Sequence, residues 1–217
     1  MTQLQELVAR WQRGWGVSRG LPEATEVGSG LRVRCLQAGR NVEYFALDGA
    51  ASVAGLADLV KGENEVTWLT VPTTEPDRAA AALEAAGLVV LKRSEKLMVT
   101  GLREHPRRPA PPGYRVETGV QDAVVRVVVR DENGDVGARG TMGVAGPDGI
   151  ADRIETLPAH RRRGLASTVM GALAEASAAE HGILIASEEG QPLYAELGWT
   201  AVADVLIAST PGVGYPS

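Results

Sequence analysis

Over residues 2–13 apolar and polar positions recur with helical period, and Glu6 and Arg10 sit inside the pattern. This predicts an amphipathic helix and not a signal peptide. Two strand-like stretches follow at 31–36 and 42–47. Next come a strand at 66–71, an Ala-rich helix at 76–86 ending at Gly87, and strands at 88–91 and 96–100. Four prolines between Arg103 and Gly113 then forbid helix and central strand, leaving an extended, solvated connector. Beyond it, a strand at 114–117 precedes a hairpin of 124–130 and 136–144 that turns at Asn133-Gly134. A turn at Gly146 to Gly149 leads to a strand at 150–157 that stops at Pro158. Leu165, Val169, Ala172, Leu173 and Ala176 share one helical face, and that helix is expected to close at His181-Gly182. A buried strand at 183–186, a short helix at 191–197 stopped by Gly198, and a strand pair or one long strand at 199–208 complete the chain.

The connector divides the chain into an expected domain at 1–102, a Pro-rich linker at 103–112 and a second domain at 113–217. The chain's 217 residues leave room for two compact units. The halves share an order of strand, short helix, Gly-apolar step and strand. Ala82 to Leu88 overlies Leu193 to Trp199, and Gly55 to Ala57 matches Gly164 to Ala166, so a degenerate tandem repeat is expected.

Composition narrows the class. Hydrophobic residues at 44% and charged residues at 23% exclude disorder or a fibre as a description of the whole. One cysteine, Cys35, can form neither an internal disulfide nor a four-cysteine zinc site, which suggests a reducing cytoplasmic location. His105, His160 and His181 show no metal spacing, so no metal is expected and the three are read as structural or solvated. A net charge of -5 argues against nucleic acid and for a small-molecule partner. No apolar run approaches the length of a membrane span, so no membrane partner is expected.

The strongest chemical signal is Pro158 to Ser167, a strand end, a basic glycine-containing turn and an immediate helix start. Backbone N–H groups from Arg162 to Ser167 are left unpaired by the helix and carry the positive end of its dipole. Gly164 lets backbone approach an anion, Ala166 keeps the next turn small, and Arg161, Arg162 and Arg163 add charge, so a pyrophosphate fits. The competing reading is a solvated surface arginine cluster. A third reading, a nucleotide phosphate-binding protein, is weak because the Gly-Lys-Ser/Thr of a P-loop is absent.

Arg161-x-x-Gly164-x-Ala166 after a strand resembles the acetyl-CoA signature of the GNAT superfamily of acyl-CoA N-acyltransferases. Ser187 through Tyr194 to Gly198-Trp199 resembles the second signature of that superfamily. The resemblance covers 113–217 well and 1–102 only as a degenerate copy. It implies an α+β fold: a mixed, mostly antiparallel central sheet flanked by helices, in two tandem copies. It also implies acetyl-CoA as acyl donor, held by Arg161, Arg162, Arg163, Gly164, Leu165, Ala166 and Ser167. The backbone around Thr156 and Leu157 would pair with pantetheine and the thioester carbonyl, where a fixed N–H stabilises the tetrahedral oxyanion. No covalent enzyme intermediate is required, and the acceptor would be an amine of a small molecule or peptide.

By the same resemblance Tyr194 protonates the departing thiolate, or else simply packs its ring in the core. Glu155, and less so Asp152, is the candidate base, although a strand carboxylate can also just face water or pair with arginine. Ser187 stands where many relatives have Asn and would hydrogen-bond pantetheine or acceptor. The N-terminal copy departs from the pattern: Leu83 stands in place of the tyrosine, and Ala50 to Ala54 stand where arginines are required, so it should bind no CoA. The second copy departs too. Only Thr118 to Ala123 separate its first strands, where the family usually has two helices, so the N-terminal half is expected to supply the missing wall. The alternative function is a non-catalytic acyl-CoA-binding sensor or scaffold module.

Overall fold

A computed structural model describes residues 2–37 and 39–215. The first helix, α1 (Gln3–Arg19), begins with a reciprocal cap: the Thr2 hydroxyl accepts from Gln5 N, and the Gln5 side chain accepts from Thr2 N. It runs a turn and a half beyond the expected end and stops at Gly20, whose φ is 63°. Gly14 and Gly16 weaken helix propensity, but packing overrides it. A Cβ on Gly14 would lie 2.2 Å from Ile150 Cδ1, so glycine is what lets the helix reach the sheet.

The N-terminal half continues with β1 (Thr25–Val27), β2 (Gly30–Gln37), β3 (Arg40–Ala46), a 3-10 turn (Gly49–Ser52), α2 (Val53–Gly62), β4 (Thr67–Thr73), α3 (Pro76–Ala85) and β5 (Val89–Gly101). The C-terminal half holds β6 (Tyr114–Gln121), β7 (Val124–Asp131), β8 (Val136–Ala145), β9 (Asp148–Thr156), a 3-10 turn (Pro158–His160), α4 (Leu165–Ala176), β10 (His181–Ala186), α5 (Gln191–Glu196) and β11 (Thr200–Ser209). The two strands expected at 88–100 are one, β5. The last element is a single long strand, β11, and α4 ends before His181, which already belongs to β10.

The strands form one sheet in the order β1-β2-β3-β4-β11-β5-β10-β9-β8-β7-β6. Among the described residues only β3 with β4 and β10 with β9 pair in parallel. The order reads as two copies related through the β11/β5 pair. Each half ends its β-α-β crossover with a short helix and a last strand, and the last strands are exchanged. Strand β5 pairs with β10 of the other half, and β11 pairs with β4. Residues from both halves are therefore neighbours at the centre of the sheet.

One face is covered by α2 and α3 over the first half and by α4 over the second. The opposite face is covered by α1, where Trp11 stacks on Trp15 at 5.5 Å and both meet Phe45 edge-on at 5.5 Å. Burying each of these side chains contributes about 1.5–3 kcal/mol. Helix α1 packs on β8 and β9 of the second half, occupying the face that the missing helices leave bare. A Cβ on Gly143 of β8 would lie 2.2 Å from Gly14 O and 2.6 Å from Ser18 N. Arg10 pairs with Asp148, and Arg19 with Asp152.

The connector has neither helix nor strand, as its prolines require, but it is docked and not free. His105 is buried and accepts from Trp199 Nε1 at 3.1 Å, while Pro109 O accepts from the Thr168 hydroxyl at 3.2 Å. Gly171 of α4 makes room for it, since a Cβ there would stand 3.1 Å from Pro106 O.

Candidate functional site

The parallel ladder between β10 and β9 lasts three pairs, from His181↔Asp148 to Ile183↔Ile150. Beyond it β9 bends away. Its register against β8 slips between Thr141↔Asp152 and Arg139↔Glu155, and Arg153 inside the slip has φ 54°. One extra residue on β9 makes this a bulge, which turns the strand and opens a wedge between β9 from Ala151 and β10 from Leu184. Leu157 N donates to Gly137 O at 2.9 Å, and Leu157 O accepts from His160 N at 2.9 Å. The Leu157 backbone, expected to face a ligand, is thus engaged within the fold. Strand alternation turns the backbone of Thr156 the other way, into the wedge. Arg161 Nε approaches Thr156 O at 3.4 Å.

At the mouth of the wedge the chain turns through Arg162 (φ 62°) and Gly164 (φ 78°) into α4. Gly164 is the N-cap, and no side chain caps the helix. A Cβ on Gly164 would meet nothing within 4 Å, so glycine serves the left-handed turn and leaves open space before the first-turn amides. Leu165 and Ser167 are buried and fix the helix on the sheet, with Ala166 half-buried between them. Arg161, Arg162 and Arg163 are exposed, and no carboxylate among the described residues pairs with them. Arg163 instead donates to the Tyr114 hydroxyl at 3.0 Å, which also bonds His160 Nδ1 at 2.9 Å, so His160 braces the turn.

Tyr194 projects from α5 and is 8% exposed. Its ring lies edge-on to Trp199 at 6.0 Å and close beneath Gly190, where a Cβ would stand 2.9 Å from it. Burial first, and the negative charge of Asp152 second, push its hydroxyl up to about 12. That oxygen is not among the sealed polar atoms lacking a partner, and no described residue hydrogen-bonds it, so it keeps contact with solvent.

The two candidate bases have different surroundings. Glu155 is half-exposed and pairs with Arg139 on β8 at 2.7 Å. Asp152 is largely but not fully buried, with Arg19 bonding both its oxygens at 2.7 Å and Ser18 at 3.0 Å. Burial pushes its carboxyl up, but the Arg19 hydrogen bonds and charge, with Ser18, hold it below the usual range. Ser187 directly follows β10 and is exposed, and its carbonyl accepts from Gly190 N and Gln191 N to start α5.

A pocket of about 310 Å³ opens from the wedge on the α1 face. Ala151 and Asp152 from β9 and Ile185 from β10 line both wedge and pocket. Its other walls come from the first half and the tail, with Trp68, Glu43, Glu95 and Tyr215 among them. These residues are absent from the sequence-based site. Their one signal is the scarcity of aromatic residues, which sets Trp68 and Tyr215 apart. A larger cleft of about 1050 Å³ lies elsewhere, between the start of α1 and the ends of β4 and β5, away from the arginine turn. Among the described residues no cluster of His, Cys, Asp and Glu could hold a metal, and no helix is long and apolar enough to cross a membrane.

No family model and no curated protein matches the chain. Solved structures do. A GCN5-related N-acetyltransferase from Kribbella flavida is similar at TM-score 0.72 and 16% identity, covering 98% of this chain and 97% of its own. A GCN5-related N-acetyltransferase from Sphaerobacter thermophilus has TM-score 0.62 and 11% identity, covering 86% of this chain and 79% of its own. A tandem GNAT protein from the clavulanic acid biosynthesis pathway has TM-score 0.60 and 12% identity, covering 94% and 92%. An unbroken sheet of two pseudo-repeats, with a wedge, a bulge and an arginine-glycine turn in the second, agrees with these likenesses: the chain has the tandem GNAT fold.

Proposed function

We propose that the chain transfers an acetyl group from acetyl-CoA to an amine of a small molecule or peptide by direct attack, using the wedge of its C-terminal half. The observation that carries this reading is the uncapped start of α4 beside unpaired arginines at the mouth of an open wedge. First-turn amides and the positive helix end suit a pyrophosphate, and Arg161 and Arg162 add charge without competing carboxylates. When bound, acetyl-CoA supplies an activated acyl carbon and a thiolate leaving group. The Thr156 N–H, turned into the wedge, is the donor available to stabilise charge developing on the acyl oxygen. Tyr194 stays protonated throughout the neutral range and can hand its proton to the leaving sulfur.

The test is thiol release from acetyl-CoA across a panel of primary amines, comparing the natural chain with Tyr194→Phe. Amine-dependent release that falls in the variant, with acetyl-CoA affinity kept, supports the reading. Binding without amine-dependent release assigns the chain to sensing instead.

A further inference from the structure

Three side chains from three places in the chain meet at the arginine turn. Tyr114 opens β6, His160 closes the 3-10 turn, and Arg163 directly precedes Gly164. The Tyr114 hydroxyl lies 3.0 Å from the Arg163 guanidinium and 2.9 Å from His160 Nδ1, and the two rings meet edge-on at 5.8 Å. Their seat is Gly137 of β8, where a Cβ would stand 3.1 Å from Tyr114 Cε1 and 3.3 Å from His160 Cγ. The connector fixes the same residue from behind, since Tyr114 N donates to Pro111 O at 3.1 Å. The order of the hydrogens follows from the partners. A guanidinium only donates, so the hydroxyl accepts from Arg163 and turns its own hydrogen to Nδ1, which is the unprotonated nitrogen of a neutral ring.

The three arginines of the turn are therefore not equivalent. Arg163 is occupied, donating to Tyr114 and approaching Ala159 O at 3.5 Å, and Arg161 leans on Thr156 O. Arg162 makes no side-chain hydrogen bond or ion pair among the described residues, and its φ of 62° is left-handed. A residue with a Cβ keeps that conformation only where its surroundings impose it. The imposing groups stand on either side of it: His160 two residues before and Arg163 one residue after, joined through the Tyr114 hydroxyl.

We infer that Tyr114 and His160 are positioning residues of this turn. They hold Arg163, and through it the left-handed Arg162, so that the Arg162 guanidinium and the first-turn amides of α4 stand ready for a pyrophosphate before it arrives. Arg162 carries the ionic contact, and Arg163 carries the brace. The identity of the anion rests on the acyl-transfer reading above. Removing the brace leaves the charges in place and loses their arrangement, so the ligand must order the turn as it binds. The loss falls on binding and not on the acyl step, because Tyr194 on α5 takes no part in the brace.

Calorimetric titration of acetyl-CoA into full-chain variants, at low and at high salt, tests this. Tyr114→Phe should weaken binding about tenfold and keep the natural slope of log Kd against log salt. Arg162→Gln should weaken binding and flatten that slope, because it removes a charge that faces phosphate. In turnover, Tyr114→Phe should raise KM for acetyl-CoA and leave kcat unchanged. Arg163→Gln should weaken binding as Tyr114→Phe does, and the double variant should lose far less than the product of the two. His160→Leu should repeat the Tyr114→Phe loss, whereas His160→Asn, which keeps an acceptor near the place of Nδ1, should recover most of the affinity. Without ligand, the Thr168 amide, which donates to Gly164 O at 3.2 Å, should exchange faster in Tyr114→Phe. The inference is overturned if Tyr114→Phe keeps the natural affinity, if it flattens the salt slope as much as Arg162→Gln, or if its loss multiplies in full with that of Arg163→Gln. Should the natural chain bind no acetyl-CoA, the transfer reading falls, and the brace is decided by Thr168 exchange alone: an unchanged rate in Tyr114→Phe overturns it.

Discussion

Replacing Arg19 with methionine tests whether α1 of the first half is an integral wall of the second. The guanidinium and the Asp152 carboxylate meet at 2.7 Å, with side chains only 15% and 10% exposed. Unit charges about 4 Å apart interact by about 4 kcal/mol at an effective dielectric near 20. Breaking a buried pair from one side costs about 3–5 kcal/mol because the other charge is stranded. Arg19→Met should therefore lose about 4 kcal/mol at pH 7, which for a chain of this length lowers Tm by about 9 °C. Asp152→Asn should also destabilise, and the double variant should lose well under the sum, giving a coupling above about 2 kcal/mol. The pH dependence has a definite sign. Asp152 titrates below its unfolded value of about 3.9, so its contribution is present above that pH and fades as acid carries the protein through the lower folded value. The gap between the natural chain and Arg19→Met should shrink accordingly. Urea unfolding at pH 7 and in acid measures all of this. A loss under about 1 kcal/mol for Arg19→Met, or additive single variants, would refute the reasoning.

Three further outcomes follow from the packing. Gly143→Ala places a Cβ 2.2 Å from Gly14 O, a backbone atom that cannot swing aside, and should cost about 3 kcal/mol in urea unfolding; an unchanged midpoint would mean that α1 is not tightly seated. Cys35 is buried, and burial with the charge of Glu43 pushes its thiol up to about 12. Iodoacetamide at pH 8 should label it roughly a thousandfold more slowly in the folded chain than in urea, and comparable rates would contradict its burial. His105 titrates below its free value because burial disfavours its charge. Its contribution is present above about pH 6.5 and is lost as pH falls through the folded value, so the stability advantage over His105→Phe should shrink between pH 7.5 and 5. A constant difference would contradict the burial of its ring.

What the sequence made legible was local. Pro158 to Ser167 is contiguous, and strand end, left-handed glycine and helix start are all decided within a few residues of one another. The end of α1 was not legible, because Gly14 and Gly16 discourage a helix and the reason they stay in one is Gly143, far away in the chain. Strand β5 reads as two strands because Lys92 to Lys96 is polar. It is held as one by β11 on one side and by β10 on the other, with bulges in its β11 register over that stretch. The 10-residue helix α2 is not predicted as an element by the sequence pattern, although Gly55 to Ala57 inside it take part in the repeat. The pocket at Trp68 and Glu95 was beyond reach for a topological reason. These residues belong to the first half and reach the wedge of the second only because β5 and β11 change places.

The most direct test of the central claim is a calorimetric titration of acetyl-CoA into the full chain and into Gly164→Glu. In that variant an anionic side chain stands in the open space before the first-turn amides of α4. The account predicts saturable binding of acetyl-CoA by the natural chain, none of ATP, and loss of acetyl-CoA binding in Gly164→Glu with the protein still folded and destabilised only by the strain of a left-handed non-glycine residue, about 1–2 kcal/mol. No binding by the natural chain, or equal affinity in the variant, would contradict it.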